Sequence, residues 1–184
     1  MQIIANRDAL SEAIAVAGGV VASRTPKQIL QCVKLSATKE SLLMTATDLE
    51  VGIRYVVRQV EVLEPGEVVI PASKLSEIVR ESSDETLQMQ SDAERCHIRG
   101  SDSHFQVYVQ EPRDFPPVAE LEGSPDIRIP ARLLRKLIEQ TLYSAAKENT
   151  RYAINGVFWE HKANRLQLIA TDGRRLAKAG GDVE

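Results

Sequence analysis

The chain repeats part of its own sequence, and an internal repeat constrains a fold more strongly than a single motif does. Residues 42–53 read LLMTATDLEVGI, and residues 166–177 read LQLIATDGRRLA. A shift of 124 positions aligns the two stretches without a gap. The same shift superposes four further apolar pairs, namely Ile3 on Ile127, Leu10 on Leu134, Ile14 on Ile138 and Val33 on Val157. The two ends of the chain are therefore expected to share one structural unit.

Three segments show the apolar spacing of an amphipathic helix. The first follows the run QIIA, has Asn6 as its N-cap and ends at Gly18-Gly19. The second covers residues 73–80, and the third runs from residue 131 to about residue 145. The residues predicted to face the core are Leu10, Ala13, Ile14 and Ala17 in the first helix, Leu75, Ile78 and Val79 in the second, and Leu133, Leu134, Leu137, Ile138 and Leu142 in the third.

Alternating or β-branched runs surround each helix, which is the pattern of antiparallel strands. The predicted strands are residues 2–5, 29–37, 41–47 and 51–60 around the first helix, 67–72, 86–91, 95–100 and 104–110 around the second, and 126–130, 153–160, 165–171 and 175–180 around the third. The chain thus reads as three β-α-β-β-β units. This order predicts an α+β fold built from antiparallel sheets.

The segment EPRDFPPVAELEGSP, residues 111–125, is rich in proline, glycine and acidic residues, which predicts an extended connection. We therefore divide the chain into a first domain of two units at residues 1–118, a linker at residues 119–125, and residues 126–184 as the first half of a second domain. By the logic of the repeat, about sixty further residues are expected to complete the second domain.

Composition argues against several classes of protein. The formal net charge is −3, so any contact with nucleic acid must be local. No apolar run approaches the roughly 20 residues of a membrane helix, and the start MQIIANRD lacks the features of a secretory signal. The two cysteines, Cys32 and Cys96, do not have the spacing of metal ligands. We therefore expect a reduced, cytoplasmic protein without membrane contact, metal ion or cofactor.

Five motifs in collinear order resemble the bacterial DNA polymerase III beta subunit, the replication sliding clamp. They are TATDLEV at 45–51, VIPASKLSEIVR at 69–80, DFPPV at 114–118, RYAINGVFWE at 151–160 and IATDGRRLA at 169–177. The resemblance implies a DNA-clamp fold, in which pairs of units form domains, helices line a hole and sheets form the outer wall. In that family, two subunits close into a homodimeric ring around duplex DNA. This chain is similar to the N-terminal portion of such a subunit, a non-catalytic processivity factor.

The resemblance also implies where DNA is contacted, through interactions that do not read its sequence. In the family, a basic residue after the first helix and aromatic residues ahead of the third unit's strands approach DNA. The matching positions are Arg24 and Tyr152. The basic residues Lys27, Lys147 and Arg151 are nearby in the sequence and are assigned to the same contact. Three positions depart from the pattern: Ser73 replaces a base, Ala153 replaces an aromatic residue, and Glu148 is acidic.

A charged stripe on the third helix permits two interpretations. Its members recur at i, i+3, i+4 and i+7 opposite the leucines, and they are Arg132, Arg135, Lys136 and Glu139. A basic stripe on this face suits attraction to phosphates. Charges at this spacing are also typical of a plain solvated helix face, and the sequence leaves both interpretations open.

A second implied site is a hydrophobic pocket for the short linear peptides of polymerase, clamp-loader and repair proteins. The matching positions are Ile154, Thr171, Gly173, Arg174, Arg175 and Leu176. Glycine suits a tight turn after Asp172, and Leu176 offers an apolar wall. In the first unit Leu49 stands where Gly173 stands in the third, and no basic pair follows it. We therefore interpret the shared ATD as structural and GRRL as the functional part.

Parts of the sequence also permit two alternatives to a clamp fragment. An enzyme or metal site would use Cys96, His97, His104 or His161, but Cys96 and His97 are adjacent on a predicted strand and point to opposite faces. The second alternative is a naturally truncated, clamp-like module that binds proteins without encircling DNA.

Overall fold

The computed structural model describes residues 1–22, 24–120, 123–125, 127–147 and 154–183. The chain divides into two compact units, residues 1–120 and residues 121–184. The linker at residues 119–125 remains a prediction.

Antiparallel strands and two α-helices build the described part of the first unit. Its strands are β1 (Gln2–Asn6), β2 (Cys32–Ala37), β3 (Leu42–Thr47), β4 (Gly52–Val57), β5 (Val60–Glu64), β6 (Gly66–Pro71), β7 (Thr86–Ser91), β8 (Arg95–Arg99) and β9 (His104–Tyr108). Its helices are α1 (Arg7–Gly18) and α2 (Ala72–Glu81). The second half, β6-α2-β7-β8-β9, follows the predicted β-α-β-β-β order, and the first half, β1-α1-β2-β3-β4-β5, has one strand more.

The two halves of the first unit exchange their first strands. One sheet has the order β5-β1-β7-β8-β9, so β1 lies among the strands that follow α2. The other has the order β4-β3-β2-β6, so β6 lies beside the strands that follow α1. In this second sheet Val33 lies opposite Ile70, and Leu35 lies opposite Val68. Neither half therefore completes its sheet with its own residues alone.

The predicted strand at residues 51–60 is wrong as a single element. It is divided into β4 and β5, which belong to different sheets. β4 pairs with β3, whereas β5 pairs with β1. At the break between them, the N–H of Asn6 donates to the carbonyl oxygen of Gln59 at 3.0 Å. The cause is that β5 pairs with β1, which is distant in the sequence. The local alternation of apolar residues carries no information about such a partner.

Both helices of the first unit bury the faces predicted from their spacing. The side chain of Asn6 caps α1 by accepting from the N–H of Ala9 at 3.0 Å. Leu10, Ala13, Ile14 and Ala17 of α1 and Leu75, Ile78 and Val79 of α2 enter one core with residues of both sheets. Each fully buried large aliphatic side chain contributes about 1.5–3 kcal/mol to this core.

The segment after β9 crosses the outer face of the β4-β3-β2-β6 sheet. Phe115 is only 7% exposed and packs with Cys32 and Val69. A Cβ placed at Gly52 would lie 2.5 Å from Val118, so the glycine permits this close approach. The predicted extended connection is thus anchored to the first unit along much of its length.

The second unit contains one helix and one sheet in its described residues. The helix is α3 (Ala131–Thr141), and the strands are β10 (Phe158–Lys162), β11 (Arg165–Thr171) and β12 (Leu176–Asp182) in the order β10-β11-β12. The core between helix and sheet consists of Leu137, Leu166, Leu168 and Val183, with Ile127, Ile129, Leu133, Ile138, Val157 and Ala179 partly buried around them.

Two predictions for this unit are corrected. The helix ends at Thr141 and is followed by a 3-10 turn at Leu142–Ser144, so Leu142 leaves the apolar face and is 54% exposed. Thr141 is buried instead, since its hydroxyl donates to the carbonyl oxygen of Leu137 at 2.8 Å. The predicted strand at residues 126–130 is not formed over residues 127–130. In the first unit such a strand pairs with the sheet of the other half, and the described residues of the second unit contain only the one sheet β10-β11-β12.

Candidate ligand-binding turn and nucleic-acid surface

The turn after β11 is held by two side chains. One carboxylate oxygen of Asp172 accepts from the N–H groups of Arg174 and Arg175, both at 3.0 Å. The Thr171 hydroxyl accepts from the N–H of Gly173 at 3.1 Å and donates to the carbonyl oxygen of Arg175 at 2.7 Å. Gly173 has φ of 84°, a left-handed conformation that glycine adopts without steric cost.

The first unit contains the same turn. Asp48 accepts from the N–H groups of Glu50 and Val51 at 2.9 and 2.7 Å. The Thr47 hydroxyl accepts from the N–H of Leu49 at 3.0 Å and donates to the carbonyl oxygen of Val51 at 2.8 Å. Because the shared threonine and aspartate bond the backbone of their own turn and the shared alanine is buried, the repeated ATD has a structural role.

The second β-α-β-β-β repeat, β6 to β9 of the first unit, carries a version of this turn that the sequence repeat did not reveal. Asp92 accepts from the N–H groups of Glu94 and Arg95 at 2.9 and 2.8 Å. The sequence does show an aspartate, Asp92, at the start of the turn between β7 and β8. It was hidden because Ser91 takes the place of threonine and no alanine precedes it.

Hydrogen bonding holds these aspartates in their charged form. Backbone N–H groups, led by that of Arg174, lower the pKa of Asp172. The pKa of Asp48 is lowered first by the N–H of Val51, and that of Asp92 first by the N–H of Glu94. Donors to a carboxylate favour its ionised state, so each turn depends on a deprotonated aspartate.

The predicted GRRL segment presents its side chains outward from the end of the turn. Leu176, the first residue of β12, is 66% exposed. The Arg175 guanidinium donates from Nε to the second oxygen of Asp172 at 3.0 Å and lies 5.8 Å from the centre of the Tyr143 ring. Arg174 is also exposed. Tyr143 was missed as a neighbour because it belongs to the 3-10 turn that follows α3.

Beside the turn lies an open groove of about 470 Å³. Its lining is largely apolar, and it consists of Ile154, Asn155, Gly156, Val157, Phe158, Ile169, Ala170 and Thr171. The structure thus brings together two of the six predicted pocket residues, Ile154 and Thr171. The other four, Gly173 to Leu176, do not line the groove but form the turn that continues from Thr171.

The predicted DNA-contacting residues are distributed over both units. Arg24 and Lys27 are exposed in the loop after α1, and Lys147 is exposed after α3. Arg151 and Tyr152 lie outside the described residues. On α3 the Arg135 guanidinium pairs with Glu139 at 2.9 Å, which offsets part of the stripe's positive charge. Arg132 and Lys136 are exposed on the same helix.

The residues of the enzyme alternative do not form a nucleophile and base pair. Cys96 is buried in the core of the first unit, and burial raises its pKa to about 12, so it stays a neutral thiol at physiological pH. His97 belongs to the other face of β8, where its Nδ1 lies 3.1 Å from Nε2 of His104. Within the described residues, no group of three or more histidine, cysteine or acidic side chains has metal-binding geometry.

Helices long and apolar enough to span a bilayer do not occur in the described part of the chain.

Two family models match the chain in sequence order. The N-terminal domain of the DNA polymerase III beta subunit matches residues 1–119, and the central domain of the same subunit matches residues 128–183. The chain belongs to this family. The sliding-clamp resemblance of the five motifs is therefore confirmed.

Individual clamps match the chain over nearly its whole length. The beta sliding clamp of Pseudomonas putida is 34% identical over 178 residues, which cover 96% of this chain and 48% of the relative. The sliding clamp structure from Bacillus subtilis is 26% identical with a TM-score of 0.94, covering 100% of this chain and 50% of that one. A Pseudomonas aeruginosa clamp bound to griselimycin is 31% identical with a TM-score of 0.89, covering 99% and 50%. The chain thus spans about half the length of the clamps it matches, and the DNA-clamp fold is confirmed.

Proposed function

We propose that the chain supplies part of a DNA polymerase processivity clamp, which encircles duplex DNA and tethers the replicative polymerase and other partners. The observation that carries this proposal is the match of two consecutive clamp domains, in order, at residues 1–119 and 128–183. Such a protein acts without catalysis, because topological enclosure replaces tight binding. A cytoplasmic location fits this role and remains a prediction.

DNA contact would then be electrostatic and independent of sequence. The exposed cations Arg24 and Lys27, in the loop after α1, and Lys147, after α3, supply positive charge for it. We also assign Arg151 and Tyr152 to this role from their place in the clamp motif.

Partner binding would use the turn and groove of the second unit. The groove offers apolar surface at Ile154 and Thr171, and Leu176 adds an exposed apolar side chain at the end of the turn. Gly173, Arg174 and Arg175 complete the proposed site, with the arginine stems flanking apolar groups of a bound peptide while their charged heads stay in water. DNA polymerase, clamp-loader and repair proteins are the proposed sources of such peptides.

An interaction module that does not encircle DNA is the second candidate, and the charges of the first unit favour it. Lys74 pairs with Glu77 at 2.9 Å, and Arg80 pairs with Glu81 at 3.0 Å, both within α2. Phosphates would have to compete with these carboxylates for the cations. This neutralisation weakens the attraction of α2 for DNA.

Fluorescence anisotropy with labelled duplexes of unrelated sequence separates the two candidates. A clamp element is expected to bind the duplexes equally, with affinity that falls steeply as salt rises. Replacing Arg24 with alanine should reduce the slope of log affinity against log salt by about 1. Arg113→Ala, which removes an exposed arginine from the segment after β9, is the matched control. Absence of binding at low salt would favour the interaction module.

A further inference from the structure

Two of the three histidines of the sequence lie side by side on the outer face of the sheet β5-β1-β7-β8-β9. Nδ1 of His97, on β8, is 3.1 Å from Nε2 of His104, on β9. The two rings are stacked, with centroids 5.3 Å apart and an angle of 27° between their planes. The hairpin of β8 and β9 thus brings one nitrogen of each ring to the other, although seven positions separate the residues in the chain.

Asp92 orients His97 from the other side of its ring. Its Oδ2 lies 3.8 Å from Nε2, the second ring nitrogen of His97. Its other carboxylate oxygen accepts from the N–H groups of Glu94 and Arg95, which holds the carboxylate in place. A carboxylate beside Nε2 favours the neutral tautomer with its proton there, and Nδ1 then keeps a free lone pair. This order of carboxylate, histidine and free nitrogen is typical of histidines that bind metal ions.

The distance between the two facing nitrogens fits a shared metal ion. An ion such as Zn²⁺ binds imidazole nitrogen at about 2.0–2.1 Å. Two such bonds to nitrogens 3.1 Å apart enclose an angle of roughly 95–102°. That angle lies between the right angle of a square-planar site and the tetrahedral angle, and both geometries occur with these ions.

We propose that Nδ1 of His97 and Nε2 of His104 bind a late first-row divalent metal ion. Water completes the coordination, because no group of three or more histidine, cysteine or acidic side chains in the described part of the chain could do so. Imidazole suits Zn²⁺, Ni²⁺ and Cu²⁺, whereas Ca²⁺ and Mg²⁺ prefer oxygen ligands. The proposal does not depend on the proposed function.

Metal binding requires both facing nitrogens to be free of protons. In the metal-free pair one ring donates a hydrogen bond to the other, and the tautomer favoured by Asp92 makes Nε2 of His104 the donor. On binding, this proton moves to Nδ1 of His104, which is an exposed residue. The exchange of a hydrogen bond for two metal–nitrogen bonds therefore leaves both imidazoles neutral.

Two arginines near the pair limit the affinity for a dication. The Arg95 guanidinium donates to Gln106 at 2.9 Å and lies 5.1 Å from the centre of the Tyr108 ring. Arg99 is exposed and is the cross-strand partner of His104. Asp92 offsets part of this positive charge. Because like charges repel even through water, removing the charge of Arg99 should tighten metal binding.

A bound ion would fasten the edge of the sheet. β9 is the last strand in the order β5-β1-β7-β8-β9, and the ion would cross-link it to β8. A ligand that binds only the folded molecule stabilises that state in proportion to its occupancy. We therefore expect Zn²⁺ to slow hydrogen exchange of the β9 amides.

Titration of the intact chain with zinc chloride tests the site, followed by calorimetry and by NMR of the ring nitrogens. We expect one ion per chain and large shifts at Nδ1 of His97 and Nε2 of His104. His97→Gln and His104→Gln should each weaken binding about tenfold or more. His161→Gln, which removes the third histidine, is the matched control and should leave the affinity unchanged. Calcium chloride should not shift these nitrogens.

Two further variants should change the affinity in opposite directions. Asp92→Asn keeps an oxygen for the N–H groups of its turn but loses the charge beside His97, and it should weaken binding about tenfold. Arg99→Gln should tighten binding several-fold. A general loss of structure would weaken binding in both variants, so opposite shifts assign the effect to the site.

Three results would overturn the proposal. One is the absence of zinc binding at millimolar concentration. The second is a set of nitrogen shifts confined to His161 or to the other two nitrogens of His97 and His104. The third is an affinity that neither His97→Gln nor His104→Gln changes. Because the nitrogen shifts are measured on the unaltered chain, they decide the matter even if a variant fails to fold.

Discussion

Leu49 and Gly173 occupy the same left-handed position of the same turn, with φ of 81° and 84°. They lie 124 positions apart, at matching places in the first and third units. A residue with a Cβ is disfavoured in this conformation by roughly 1–2 kcal/mol, whereas glycine adopts it readily. The first β-α-β-β-β unit therefore tolerates a strained leucine where the third has the unstrained glycine.

Replacing Leu49 with glycine is expected to stabilise the first unit. Relief of the left-handed strain should exceed the entropy that glycine adds to the unfolded chain and raise the free energy of unfolding by about 0.5–1 kcal/mol. Hydrogen exchange of the β3 amides measures this locally. Slower exchange is the expected result, and faster exchange would contradict the strain argument.

The reverse change at Gly173 should destabilise the second unit. Gly173→Ala forces a Cβ into the left-handed region and should lower the free energy of unfolding by about 1 kcal/mol. Trp159 fluorescence during urea unfolding reports on this unit, because the sequence contains no other tryptophan. Gly156→Ala is the control, since a Cβ there meets open space and φ is not left-handed. Equal effects of the two substitutions would count against the assignment.

Acid should weaken the turn at Asp172. Its folded pKa is lowered, chiefly by the N–H of Arg174, so its stabilisation is present above the unfolded value of about 3.9 and is lost as pH falls through the folded pKa. Asp172→Asn keeps an acceptor oxygen and should remove this part of the pH dependence. NMR titration of the Asp172 carboxyl measures the pKa directly, and Asp182→Asn on β12 is the control. A carboxyl titrating at or above the unfolded value would contradict the hydrogen-bond argument.

The segment after β9 should contribute measurably to the stability of the first unit. Phe115→Ala removes a buried ring from contact with Cys32 and Val69 and should cost about 3 kcal/mol. Phe105→Ala is the matched control, because that ring is 39% exposed and its loss should cost much less. Chemical denaturation followed by circular dichroism gives both values. Similar losses would mean that the segment is not anchored through Phe115.

The parts of this fold that the sequence predicts are those set by local spacing. Asn6 as a cap and the buried faces of α1 and α2 follow from periodicity and side-chain chemistry alone. The break between β4 and β5 was not predicted, because it depends on pairing with β1, far away in the chain. Leu142 was wrongly predicted to lie on the buried face of α3. Thr141 is buried instead, because its hydroxyl donates to the carbonyl oxygen of Leu137 within the helix.

The candidate site divides in the same way. Gly173 and Asp172 were predictable as a turn, since their chemistry acts on neighbouring backbone groups. The approach of Tyr143 to Arg175 was not, because it joins the turn to a segment more than thirty positions earlier. The role of GRRL in ligand binding was a hypothesis from family resemblance and stays one until binding is measured.

The first and third β-α-β-β-β units share one structural turn, and our central proposal is that only the third uses it to bind a ligand. Calorimetry with griselimycin, which a solved relative binds, tests this on the 184-residue chain. We expect Leu176→Ala to weaken binding about tenfold or more, as loss of an apolar anchor does, and Leu49→Ala in the matching turn of the first unit to leave it unchanged. Binding that is indifferent to Leu176→Ala, or equally sensitive to Leu49→Ala, would contradict the account.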